Sequence, residues 1–159
     1  MKKIFLPALL ITCLLYVSCT KKDKNTPADS QMMSAAISSG TAFSSSGNSI
    51  VESTGISGSD TSYEFLGHDN SATLSFFVGA LDTGLYVFSG GFNGNSVEYN
   101  PDGNTIYSSY IGFNPSHGSI HITSKTTTTI SGTFSGSLYS LSGSDSVIVT
   151  SGQFTNLLF

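Results

Sequence analysis

The sequence contains no arginine and no tryptophan, and its two cysteines, Cys13 and Cys19, both fall within the first twenty residues. Beyond residue 30 the only lysine is Lys125, against Glu52, Asp60, Glu64, Asp69, Asp82, Glu98, Asp102 and Asp145. One cation against eight acids leaves this span at −7, whereas the whole chain carries −4. A nucleic-acid surface needs cationic side chains to displace counterions from phosphates, so this composition excludes one. It disfavours phosphate-rich cofactors for the same reason, and no Walker or dinucleotide glycine loop is present. The absence of tryptophan removes the commonest platform for sugar rings. Serine, threonine, glycine and asparagine occupy the places that charges usually take. Disordered chains share that trait, but they lack regularly spaced aromatic and β-branched residues, and this chain has them throughout. Hydroxyl-rich outer faces on a β-sheet protein account for both features.

The charges that are present open the chain. Met1-Lys2-Lys3 is a short cationic start, and Ile4 to Val17 form an apolar run broken only by Pro7 and Thr12. Fourteen residues are too few to cross a bilayer core as a helix, which takes roughly 20. They fit the apolar region of a secretory signal, ending at the small residue Ser18. Val17-Ser18-Cys19 resembles the end of a bacterial lipobox, in which the cysteine thiol takes a diacylglyceryl group and cleavage frees its amine for further acylation. The pattern prefers Leu, Val or Ile three positions before the cysteine, and Tyr16 stands there. Cys13 is the weaker candidate, because Thr12 precedes it and the apolar run continues past it. The expectation is a lipoprotein signal peptide over 1–18 and lipidation at Cys19. Each buried methylene contributes about 0.8 kcal/mol, so two or three acyl chains on one residue hold the protein on the membrane. With Cys13 removed and Cys19 alkylated no disulfide is available, and the domain stands on its core alone.

Residues 19–30 carry Pro27 and almost nothing apolar, which makes them a flexible tether. Acidic clusters after the cysteine resemble a surface-export signal in some lipoproteins. Here Lys21, Lys22 and Lys24 outnumber Asp23, so the expected location is the outer membrane facing the periplasm, with the cell surface as the alternative.

Residues 31–159 read as a single all-β domain. Apolar residues recur with period two: Met33, Ala35, Ile37; Tyr63, Phe65; Leu74, Phe76, Val78; Tyr86, Phe88; Ile120, Ile122; Val147, Val149. Asn100-Pro101-Asp102-Gly103-Asn104 is the strongest turn signal, with proline presetting φ and glycine taking the left-handed position. It predicts Val97 and Tyr99 facing Ile106 and its neighbours across a hairpin. Ile130, Gly132, Phe134, Gly136 and Leu138 share one face of a long segment, and glycines between large residues let such a strand bend. The expected architecture is an antiparallel β-sandwich or flattened meander β-barrel of about nine strands, the bent strand favouring the barrel.

Four stretches carry a resemblance. They are M-x-A-x-I-x-x-G-x-x-F from Met33, D-T-G-x-Y from Asp82, I-S-G-T-F-S-G from Ile130 and V-I-V-T-S-G-Q-F-T-N from Val147. Together they are similar to a small all-β domain of unknown function in Bacteroidota envelope lipoproteins. The resemblance implies the anchor, the compartment and an all-β fold, and supplies no catalytic residues.

No pattern of chemistry stands out. His68 and His117 are expected in loops and His121 on the wet face of a strand, without the short fixed spacings of a metal site. There is no G-x-S-x-G elbow. Asp60, Asp69, Asp82, Asp102 and Asp145 sit in expected turns, where aspartate caps the backbone. Asn100, Asp102 and Asn104 lack the downstream glutamate of a calcium loop. These readings predict no enzyme, metal or cofactor. Tyr99, Tyr107, Tyr110 and Phe113 cluster around the hairpin and form the candidate contact surface for a protein or glycan partner; core packing of the same residues is the competing account. The expected role is a lipid-anchored, non-catalytic binding or structural module. The alternatives are a carrier of a lipid or small apolar ligand in a barrel cavity, and third a hydrolase without a recognisable motif.

Overall fold

Period-two alternation buries one face of each segment, and the chain folds accordingly. The computed structural model describes residues 31–57, 60–89, 94–109 and 117–159. The expected signal and tether, Cys19, Tyr110 and Phe113 lie outside the described residues. Eleven strands form one antiparallel sheet among the described residues. They are β1 (Met32–Ile37), β2 (Ala42–Ser46), β3 (Ile50–Ser57), β4 (Asp60–Asp69), β5 (Ala72–Val78), β6 (Gly84–Val87), β7 (Ser96–Asn100), β8 (Tyr107–Ser108), β9 (Gly118–Lys125), β10 (Thr129–Ser140) and β11 (Ser146–Leu158). The only helical turn among these residues is a 3-10 turn at Gly47–Ser49.

The main path runs β2-β1-β11-β10-β8-β7-β5-β4-β3. β10 is its branch point: residues 130–136 pair with β9, and Tyr139 and Ser140 pair with β8. β6 extends the branch by pairing with β9. Asn95 stitches the two branches together. Its amide donates to the Val87 carbonyl on β6 at 3.2 Å and accepts from the Gly79 N–H after β5 at 3.2 Å.

The sheet curls into a nearly closed barrel. The two ends of the path, β2 and β3, are joined directly by the 3-10 turn. The β3–β4 ladder stops at the Ile50–Gly67 pair; beyond it β2 takes over. There the Ser45 hydroxyl accepts from His68 N–H at 3.1 Å, and Asp69 Oδ2 accepts from Ser44 N–H at 3.0 Å. A Cβ on Gly67 would stand 3.0 Å from that of Ser45, so this approach needs glycine.

The barrel is filled with side chains. Phe76 is its centre, with ring centroids 5.1 Å from Phe65, 5.9 Å from Phe134 and 4.7 Å from Phe154. Met33, Phe43, Leu74, Ile120, Ile122, Ile130, Leu138 and Leu157 complete a core with almost no solvent exposure. Such stacked and tilted ring pairs contribute beyond their buried area.

Of the two expected architectures the barrel is the one present, β10 carries register irregularities beside Gly132 and Gly136, and most of the alternation holds, with two corrections. There are eleven strands rather than about nine, because β2 and the two-residue β8 have little apolar periodicity. His68 lies in strand β4, paired with Thr73, and the turn follows at Asn70 and Ser71. Tyr99 pairs with Tyr107, the neighbour of Ile106, as the turn signal predicts.

Candidate functional site

The hairpin from β7 to β8 is held by its own polar side chains. Asn100 Oδ1 accepts from the N–H groups of Asp102 (3.2 Å) and Gly103 (2.6 Å). Asp102 Oδ1 accepts in turn from Asn104 N–H (2.9 Å) and Thr105 N–H (2.8 Å). Gly103 has φ +82, the left-handed value expected of it. These backbone bonds, that from Thr105 first, hold the Asp102 carboxyl below its ordinary range. A carboxylate whose folded pKa is depressed adds stability above its unfolded pKa, near 3.8, and that contribution fades as pH falls through the folded value. Urea midpoints measured between pH 7 and pH 2.5 are expected to show this acid-side loss, and Asp102→Ala is expected to make it smaller.

The four aromatic candidates do not form one exposed patch. Tyr99 is only 2% exposed, with its ring in the core. It is not part of an exposed contact surface, which corrects the expectation for this residue. Its position on β7 gives the reason: Val97 and Tyr99 share the inward face of a strand paired on both sides. Tyr107 is half-buried, and its hydroxyl donates to Asp145 Oδ2 at 2.8 Å across to the β10–β11 turn. That bond first, and burial next, raise the Tyr107 phenol above its usual range. Tyr110 and Phe113 lie outside the described residues.

The histidines do not converge. His68, His117 and His121 are each exposed, and no group of three metal-ligating side chains occurs among the described residues. His121 faces outward as expected. It lines a shallow groove of about 250 Å³ with Ser119, Thr133, Ser135 and Gln153 on the outer face of β9, β10 and β11. The exposed aliphatic residues of edge strand β6, Leu85 (64%) and Val87 (59%), pair with His121 and Ser119 beside it.

A second cavity, of about 300 Å³, lies at one end of the barrel. Three turns meet there: Thr41 to Phe43 between β1 and β2, Asp69 to Ala72 between β4 and β5, and Tyr99 with Pro101 at the hairpin. Phe43 and Tyr99 supply aromatic surface, and Asp69, Asn70 and Ser71 supply polar groups. Burial first, then the charges of Asp69 and Asp102, push the Tyr99 phenol above its usual range, so it stays neutral at ordinary pH. Sequence reading missed this cavity, because nothing in the three turns marks them as neighbours in space. The usable signal was Tyr99 itself, a polar-tipped aromatic on an inward-facing position.

Three other acids serve local structure. Asp82 forms an ion pair with Lys125 at 3.0 Å, and Glu98 accepts from the Ser108 hydroxyl at 3.0 Å. Asp145 Oδ1 accepts from Ser146 N–H at 2.8 Å.

The profile of the Domain of unknown function (DUF6252) family matches residues 31–158. The chain belongs to the DUF6252 family. No curated protein and no solved structure matches it. In this DUF6252 domain the matched span begins one residue before β1 and ends on the last residue of β11, so it covers the whole barrel described above.

Proposed function

We propose that this chain is a lipid-anchored bacterial cell-envelope lipoprotein whose β-domain acts as a non-catalytic binding or structural module. The setting is the one the sequence resemblance implies, a Bacteroidota envelope, with the outer membrane facing the periplasm as the location. The anchor rests on the cationic start, the 14-residue apolar run and Ser18-Cys19. The observation that carries the module reading is the filled interior. Phe65, Phe76, Phe134 and Phe154 occupy the space an apolar cargo would need, so the carrier reading falls behind and recognition is left to the surface and the barrel end. The engagement of Asp82, Asp102 and Asp145 in turn and strand contacts supports the same reading, since these carboxylates are committed to structure.

Mass spectrometry of protein extracted gently from its own membranes tests the anchor. The expected mature chain starts at Cys19 and carries two or three acyl chains. In Cys19→Ala the protein is expected to leave the membrane fraction or to retain its signal. Native material that is freely dissolved, with an unmodified thiol or its original methionine, would overturn the assignment. Co-purifying lipid in stoichiometric amount, beyond the anchor itself, would restore the carrier.

A further inference from the structure

The end cavity contains an unspent polar group. Tyr99 is only 2% exposed, yet its hydroxyl has no hydrogen-bond partner among the described residues. No fully buried side-chain oxygen or nitrogen among those residues lacks a partner. The phenol oxygen of Tyr99 is therefore not fully buried, and Tyr99 lines the end cavity. A tyrosine hydroxyl left accessible and unpaired at a cavity has an acceptor site open to a ligand. Asp69 stands at the same cavity with capacity to spare. Its Oδ2 accepts one bond, from Ser44 N–H, and its Oδ1 one, from the Asn70 side chain at 2.9 Å, whereas a carboxylate has about four acceptor sites.

We propose that this cavity binds a primary ammonium group carried on an alkyl stem, with Tyr99 Oη and the Asp69 carboxylate accepting its hydrogen bonds. The ammonium is a donor only, and it meets two acceptors here. The stem lies against Phe43, Ala42, Ala72 and Pro101, which line the cavity with carbon. Asp102 adds negative charge close to Tyr99, and the −7 of residues 31–159 draws cations toward the surface while it repels anions. The proposal rests on the reading of the domain as a binding module, but not on the lipid anchor. The ammonium belongs either to a free alkylamine or to a lysine side chain, and the chemistry of recognition is the same.

The test is titration of the full chain, purified in mild detergent, with n-butylammonium chloride and with N-acetyl-lysine methylamide, n-butanol serving as the uncharged control. The amines are expected to bind saturably and at least about tenfold more tightly than butanol, the scale of one charge-assisted hydrogen bond. Tyr99→Phe and Asp69→Asn are each expected to weaken binding at least about fivefold. Raising salt to about 0.5 M is expected to weaken it further. Asp69→Asn keeps the shape of the side chain and an acceptor for Ser44, so it reports even if Tyr99→Phe does not fold. Tighter binding of the lysine amide than of butylammonium assigns the site to a protein lysine, and the reverse order to a small amine. Equal affinity for butanol, no saturable amine binding, or unchanged affinity in folded Asp69→Asn would overturn the proposal. The mass at Cys19 is read on the same preparation, so failure here is distinguishable from failure of the anchored-module reading.

Discussion

Phe76→Ala is expected to lower stability by about 4 kcal/mol, within the range of about 3–5 for a buried phenylalanine. Phe76 is fully buried and packs against three other rings, so no neighbour can close the hole by a simple rotation. Strands β4, β10 and β11 supply those rings, and β5 supplies Phe76 itself. The residue therefore ties opposite walls of the barrel together. A domain of this kind has a net stability of about 5–15 kcal/mol, so the variant stands near the edge of folding. With a urea dependence on the order of 1.5 kcal/mol per molar, the midpoint is expected to fall by about 2.5 M. Phe76→Leu keeps most of the volume and is expected to lose no more than about half as much. The experiment also bears on function. A midpoint shift below about 0.5 M would mean that the interior has room to spare, and the carrier reading would then regain its place.

The same core explains what the sequence reveals and what it conceals. Where an inward face is apolar at every second residue, as at Met33, Ala35, Ile37 or Leu74, Phe76, Val78, the strand and its orientation are both legible, because a one-residue slip would turn the whole set to water. β2 breaks that rule. Its inward positions are Phe43 and Ser45, and Ser45 is buried because its hydroxyl bonds to His68 N–H and to the Ser49 carbonyl. A serine satisfied by partners distant in sequence leaves no periodic trace. The misplacement of His68 has the same origin, since β4 continues past Gly67 only because β5 pairs with it there and β2 closes on it from the other side.

The end cavity was illegible for a further reason. Thr41, Asp69 and Tyr99 follow one another in the chain at intervals of about thirty residues. They meet only because the path β2-β1-β11-β10-β8-β7-β5-β4-β3 curls until its ends touch. Tyr99 is expected on an exposed contact surface and is buried instead, because an alternating strand pattern does not say which of its two faces turns to the core. The turn chemistry of Asn100, Asp102 and Gly103 was readable in full, because all of its bonds are local.

Gly152→Ala is expected to lower stability by about 2–3 kcal/mol, the cost of forcing atoms into a packed site. Gly152 pairs with Phe134 across the β10–β11 ladder, beside an irregularity that shifts the register before the Gly136–Val149 pair. A Cβ there would lie 2.5 Å from the Phe134 carbonyl oxygen and 2.7 Å from two of its ring carbons. The ring can turn away at some expense to its contacts with Phe76 and Phe154, but the carbonyl oxygen is fixed by the strand. Pairing the change with Phe134→Leu separates these two obstacles. The double variant is expected to be less destabilised than the sum of the single ones by about 0.5–1 kcal/mol, because only the ring component is relieved. Gly84→Ala provides the comparison, since a Cβ on that glycine meets nothing within 4 Å and its φ is not positive. That variant is expected to remain within about 0.5 kcal/mol of the parent. Thermal or urea unfolding of the four variants beside the parent decides the matter. If Gly152→Ala proved as mild as Gly84→Ala, the two strands could not lie as close at this bulge as the packing of Phe134 requires.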